Sequence, residues 1–191
     1  MSSQENSPSF TRIQLLGFMG ITAIILSIIA QIWRKLGSIQ IIPLNFTVQA
    51  LLFATVIAIG IFIASLIVAQ IWQDYHRSAA QYLELIITPL VIPDLIWVAI
   101  LPALSEELLF RGVMIPAFGY DLFAVIVSSI LFGVLHLSDI QNWPYVVWAI
   151  IVGFILGYSA YITGNLLIPI IVHGLTNLFS SLTWKLRKIS T

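Results

Sequence analysis

Apolar residues run in long blocks cut by short polar punctuation, and the blocks predict helices of membrane-crossing length. Ile13 to Trp33 carries no charge and is closed by Arg34 and Lys35. It is too long for a signal-peptide core and no small-residue cleavage site follows, so it predicts a retained first helix. Residues 37–45 read as a loop or interfacial segment. Phe46 to Trp72 is again free of charge and long enough to cross a bilayer with tilt. The patch Gln73 to Arg77 ends it, with His76 a solvated loop histidine.

The second half is more broken. Leu85 to Leu101 is interrupted by Pro89 and Pro93, with Pro102 directly after it, which predicts a kinked span or a re-entrant segment. Asp94, next to Pro93, is placed to cap a new helical segment. A helix is expected over Ala103–Ile115, opened after Pro102 and stopped by Pro116 and Gly119. Leu122–Leu137 is a span with His136 at its far end, and residues 138–144 form a polar turn carrying an interfacial tryptophan. Tyr145–Thr163 follows, with Gly153 and Gly157 as a small-residue surface for internal helix packing. Gly164-Asn165 breaks the chain before a last span, Leu166–Trp184.

The expected fold is therefore all-α, a polytopic membrane bundle of about six to seven transmembrane or re-entrant helices. Residues 1–12 read as a disordered polar N-terminus and 13–84 as two N-terminal transmembrane helices with loops. Residues 85–184 hold the chemistry, and 185–191 form a basic tail whose lysines and arginine favour a cytoplasmic end. Composition agrees: of 191 residues 60% are apolar and 8% charged, against about 25% charged in soluble domains. Lys+Arg and Asp+Glu balance at 8 each, so nothing points to nucleic acid. With no cysteine, disulfides, thiolate metal sites and a cysteine nucleophile are excluded.

Against that background Glu106, Glu107 and Arg111 demand a reason. Each charge costs about 2.5–3.5 kcal/mol at mid-membrane, so the three must face a protein interior or a wet cavity. Glu107 and Arg111 stand at i, i+4 and can pair on one helix face. Glu106 lies about 100° round from them, so one carboxylate is neutralised locally and the other is left free. Two more spans carry polar groups at helical spacing, Phe132 with His136 and His173 with Asn177. Such a set supports hydrolysis by activated water. Glu106 can act as general base, the imidazoles can position water or bind a divalent cation with the carboxylate, and Asn177 can donate to an oxyanion. Ser105, Ser128 and Ser129 lack a nucleophile-elbow context, and no H-E-x-x-H occurs.

Glu106-Glu107-Leu108-Leu109-Phe110-Arg111, Phe132-Gly133-Val134-Leu135-His136 and His173-Gly174-Leu175-Thr176-Asn177 resemble, in order, the EExxxR, FxxxH and HxxxN motifs of the CPBP family. That family comprises type II CAAX-prenyl endopeptidases and bacteriocin-processing and bacteriocin-immunity proteins. The resemblance covers roughly residues 85–182 and implies a multi-helix intramembrane protease. In it Glu106 corresponds to the water-activating glutamate with His136 and His173 beside it, Glu107 and Arg111 to the supporting pair, and Asn177 to the oxyanion donor. Family members are described both as metalloproteases and as glutamate-dependent enzymes. Zinc on Glu106, His136 and His173 is the arrangement implied if a metal binds, and a metal-free mechanism is equally open.

The expected partners are a peptide or protein substrate, prenylated or not, and the lipid of the cell membrane in which the multi-pass chain sits. Two other readings compete: a non-catalytic immunity or scaffold protein of the same fold, and a proton or ion pathway built from the same side chains.

Overall fold

The computed structural model describes residues 10–190. Most of the polar N-terminus read as disordered lies outside the described residues. Among the described residues every regular element is helical, as the block pattern predicts. The elements are α1 (Arg12–Leu36), α2 (Val48–Ile71), α3 (Gln73–Ile87), α4 (Leu95–Glu107), α5 (Ile115–Ala117), α6 (Leu122–Val134), α7 (Trp143–Thr163) and α8 (Leu167–Ser190). Single 3-10 turns precede α4 (Ile92–Asp94) and α7 (Ile140–Asn142), and a π-helical stretch, Leu108–Met114, joins α4 to α5. Among the described residues four helices, α1, α2, α7 with its leading turn, and α8, are long and apolar enough to cross a membrane. A fifth crossing arises if α3 and the segment from Ile92 to Ala117, bent by 106° at their break, count as one span; α6 is apolar but short. The protein is a multi-pass membrane bundle.

Local chemistry sets the helix ends. Thr11 and Thr47 accept from the backbone N–H three residues on, and cap α1 and α2. α7 ends at Gly164, whose φ of +58° is the left-handed conformation that glycine adopts without a Cβ penalty. The next residue, Asn165, clamps the loop before α2: its side chain accepts from Asn45 N–H at 2.9 Å and donates to Asn45 O at 2.8 Å.

Packing follows from which faces carry small residues. Ala50, Ala54 and Ala58 recur every fourth position on α2 and are buried against α8, where Phe62 meets Phe179 edge to face at 5.7 Å. Gly153 and Gly157 of α7 abut Ser129, Phe132 and Val125 of α6, the internal packing anticipated for them. Large apolar side chains on the opposite faces, such as Ile21, Ile24, Ile28 and Ile32 of α1, point outward, as side chains in contact with lipid must.

Several expectations need correction. The helix of the charged motif does not open after Pro102: α4 starts at Leu95 and carries Pro102 in its interior. His76 is exposed, but it sits in α3 rather than in a loop. Asp94 stands at the start of α4 without capping it. Its carboxylate is taken by Arg12 of α1 through two 2.7 Å bonds and accepts Val91 N–H as well, because a bidentate guanidinium outcompetes a lone backbone donor. The segment 185–190 is no separate tail but the end of α8. There Lys185 donates to the carbonyls of Ile87 and Thr88, closing the end of α3, and Lys188 pairs with Glu84.

These contacts gather the start of α1, the end of α8 and the end of α3 at one end of the bundle. Trp33 and Phe118 meet at the other, 5.8 Å apart.

Candidate active site

The seven motif residues converge from α4, the π-helical stretch, the end of α6 and α8. Glu107 and Arg111 are fully buried. Arg111 Nη1 donates to Glu107 Oε1 at 2.9 Å and Nη2 to the carbonyl of Gly153 at 2.8 Å. Its guanidinium lies 4.3 Å from the ring centroid of Phe132, a cation–π contact in a desolvated setting. The phenylalanine of the second segment thus covers the cation of the first. The π-helical winding over Leu108–Met114 turns Arg111 toward α6 and α7, a use of this winding that recurs at functional sites.

His173 donates from Nδ1 to Glu107 Oε1 at 2.8 Å. The resemblance puts both histidines beside Glu106; in the structure all three line one cavity, with His136 Nε2 4.0 Å from Glu106 Oε2 and His173 bonded to Glu107. The cause lies in the neighbouring helix. His173 is a buried residue of α8, which packs along α4 on the side where Glu107 faces inward. One carboxylate is therefore neutralised by Arg111 and held by an imidazole. The other, Glu106, lines the cavity, and the Oε2 atoms of both glutamates are buried without a hydrogen-bond partner.

The tautomers can be assigned. His136 Nδ1 is 2.8 Å from the carbonyl of Phe132, and a carbonyl only accepts, so Nδ1 carries the hydrogen. The same holds for His173 Nδ1 against the Glu107 carboxylate. Each ring is thereby oriented by one nitrogen, and Nε2 is left for the cavity both rings line.

That cavity has a volume of about 310 Å³ and is lined by Glu106, His136, His173 and Asn177 together with apolar residues of α1, α3 and α4. Asn177 faces it in a way sequence spacing does not reveal. Proline has no N–H, so Pro102 leaves the carbonyl of Val98 without its helical donor. Asn177 Nδ2 lies 3.5 Å from that oxygen. Two further lining residues, Tyr82 and Tyr145, stack at 4.7 Å and flank His136 at 6.4 and 6.2 Å. Sequence reasoning missed them: tyrosines at a membrane boundary look like interfacial anchors.

The metal arrangement fits less well. Among the described residues no three His, Asp or Glu side chains are grouped so as to hold an ion. His173 is held by Glu107 through Nδ1 and keeps Nε2 toward the cavity, so Glu106, His136 and His173 are the three donors an ion would have to draw together.

Comparison with known proteins agrees with the motifs. Residues 88–179 match the family model described as type II CAAX prenyl endopeptidase Rce1-like. The uncharacterized protein YpbD of Bacillus subtilis (strain 168) is 33% identical over 82 residues, 43% of this chain and 41% of that protein. The uncharacterized protein YyaK of the same strain is 35% identical over 83 residues, 39% of this chain and 28% of that one. The chain thus spans less than half the length of either relative. No solved structure matches it. All the motif residues lie within the matched stretch, residues 88–179, over which the chain is similar to Rce1-like type II CAAX prenyl endopeptidases.

Proposed function

We propose that the protein is an intramembrane endopeptidase in which Glu106 activates water against a peptide carbonyl. The observation that carries this reading is the division of labour between adjacent glutamates. Glu107 is fully buried, with Arg111 and His173 both bonded to its Oε1, while Glu106 lines the cavity and faces His136 Nε2 across 4.0 Å. That gap is too long for a direct hydrogen bond and suits one bridging water. Both atoms facing it are acceptors, so a water there donates one hydrogen to Glu106 and one to His136 Nε2. Its lone pairs are then free to attack a carbonyl carbon. Glu106 takes the proton as the C–O bond forms and returns it to the leaving amine as the C–N bond breaks. The Asn177 amide is placed to donate to the oxyanion, exchanging its long contact with Val98 O for a charged acceptor.

Among the described residues the carboxylates and imidazoles are not grouped around an ion position, and in this reading Glu106 takes the proton from water directly. The substrate is a peptide chain whose apolar part packs on Phe18, Met19, Leu83 and Ile86 along the cavity wall. That wall would suit an apolar side chain or a prenyl group. The end carrying Arg12, Arg77, Lys185, Arg187 and Lys188 is the cytoplasmic one, against Arg34 and Lys35 opposite, and the membrane is the cell membrane. The test is cleavage of a peptide library by the purified protein, with and without chelator. The proposal predicts cleavage that survives the chelator. Loss of turnover restored by added zinc would show instead that the donors regroup around an ion.

A further inference from the structure

A second concavity lies directly outside the catalytic cavity. It is a polar cleft between α3, the end of α2 and the 138–142 turn, open at the end of the bundle where α1 begins. α3 separates the two because its faces differ. Gln73, Arg77, Gln81 and Glu84 recur at spacings of three and four on the cleft side, and Tyr75, Leu83 and Ile86 on the cavity side. Tyr82 lines both spaces. Its ring stacks on Tyr145 and lies near His136, so it stands between the cleft and the reacting groups.

The cleft's lining has a distinct chemistry. Gln70, Gln73, Gln81, Gln141 and Asn142 place five primary amides around it, with Ser138 among them. Amide side chains both donate and accept, as a peptide backbone does, and His76, Arg77, Glu84 and Asp139 add charged or titratable groups to the same cleft. One amide is already short of a partner: Asn142 donates from Nδ2 to Ser138 Oγ at 3.1 Å, while its Oδ1 is buried without a donor.

We propose that this cleft is a peptide-binding subsite for the polar, water-side arm of the substrate, joined to the catalytic cavity past Tyr82, which acts as the partition between them. The inference rests on the endopeptidase reading for the identity of the arm, but the partition does not depend on turnover. A substrate would then straddle the partition, its apolar part among α1, α3 and α4 and its polar arm along the amides. Water would reach Glu106 by the same opening.

The chain has no cysteine, so single reporter thiols can be introduced without background. Thr176→Cys reports from inside the cavity, Ser138→Cys from the cleft and Ser128→Cys from the fully buried core of α6. Each is reacted with a charged, membrane-impermeant thiol reagent in the wild-type, Tyr82→Leu and Tyr82→Ala backgrounds. The expected result is labelling of Thr176→Cys that quickens as residue 82 shrinks, by roughly tenfold for alanine. Ser138→Cys should label at one rate throughout and Ser128→Cys not at all. Labelling of Thr176→Cys indifferent to residue 82, or Ser128→Cys rising with it as in a loosened bundle, would overturn the partition.

For the arm, Gln81→Leu with Gln141→Leu is expected to raise KM by about tenfold for a cleaved peptide with an extended polar arm and to leave its truncated counterpart unchanged. An equal rise for both would remove the subsite. A protein that labels as expected but cleaves nothing sinks the endopeptidase reading while leaving the partition standing.

Discussion

The side-chain amide of Asn177 lies 3.5 Å from the carbonyl of Val98, an oxygen free to accept because Pro102 four residues on has no N–H. A proline that looks like a helix breaker thus orients a group across the interface between α4 and α8. Restoring the donor with Pro102→Ala is expected to leave thermal stability unchanged or raised, while kcat falls by about tenfold as Asn177 loses its anchor. Asn177→Ala should lower kcat by about 10²–10³-fold, the range for removing one oxyanion donor. Parallel melting curves and initial rates separate the two effects.

The Arg111 guanidinium is the largest fully buried side chain in the structure and meets Glu107, Gly153 O and the Phe132 ring. Removing either charge strands its partner in a dry interior. Arg111→Ala and Glu107→Ala are each expected to cost about 3–5 kcal/mol. Arg111→Lys should recover only part of this, since one ammonium cannot reproduce the fork to the carboxylate and the carbonyl. Folded yield in detergent and the denaturation midpoint report it. The double variant with apolar residues of similar size should recover more than either single change.

Gly133 sits where α6 crosses α7 so closely that an added Cβ would lie 2.8 Å from the backbone nitrogen of Ile150. Gly133→Ala must therefore push the helices apart. The expected cost is about 1–3 kcal/mol, with a fall in activity beyond the lost stability because His136, three residues on, moves with the end of α6. An alanine variant with unaltered melting and turnover would show that this contact does not set the position of His136.

How much of this was legible beforehand follows the range of the interactions. Contacts within one helix were readable from spacing: Glu107 with Arg111, and Phe132 with His136, are i, i+4 pairs and behave as such. The separation of Glu106 from Glu107 was readable too, because neighbours on a helix face different ways. Contacts between helices were not. His173 chooses Glu107 because of how α8 lies on α4, which no spacing encodes. Arg12, 82 positions from Asp94, gave no sign that it would claim that carboxylate. Pro102 was misread because a proline within a helix and one at its start leave the same mark in a sequence. α3 was hidden by the polar patch that opens it, which leaves it no long apolar run.

The account stands on Glu106 as the base, and Glu106→Gln tests it most directly, because glutamine keeps the shape and removes the proton acceptor. The account predicts a protein with wild-type yield and melting temperature whose kcat on a cleaved peptide falls by about 10²–10⁴-fold, the usual share of a general base. Turnover near the wild-type level in that folded variant would contradict it.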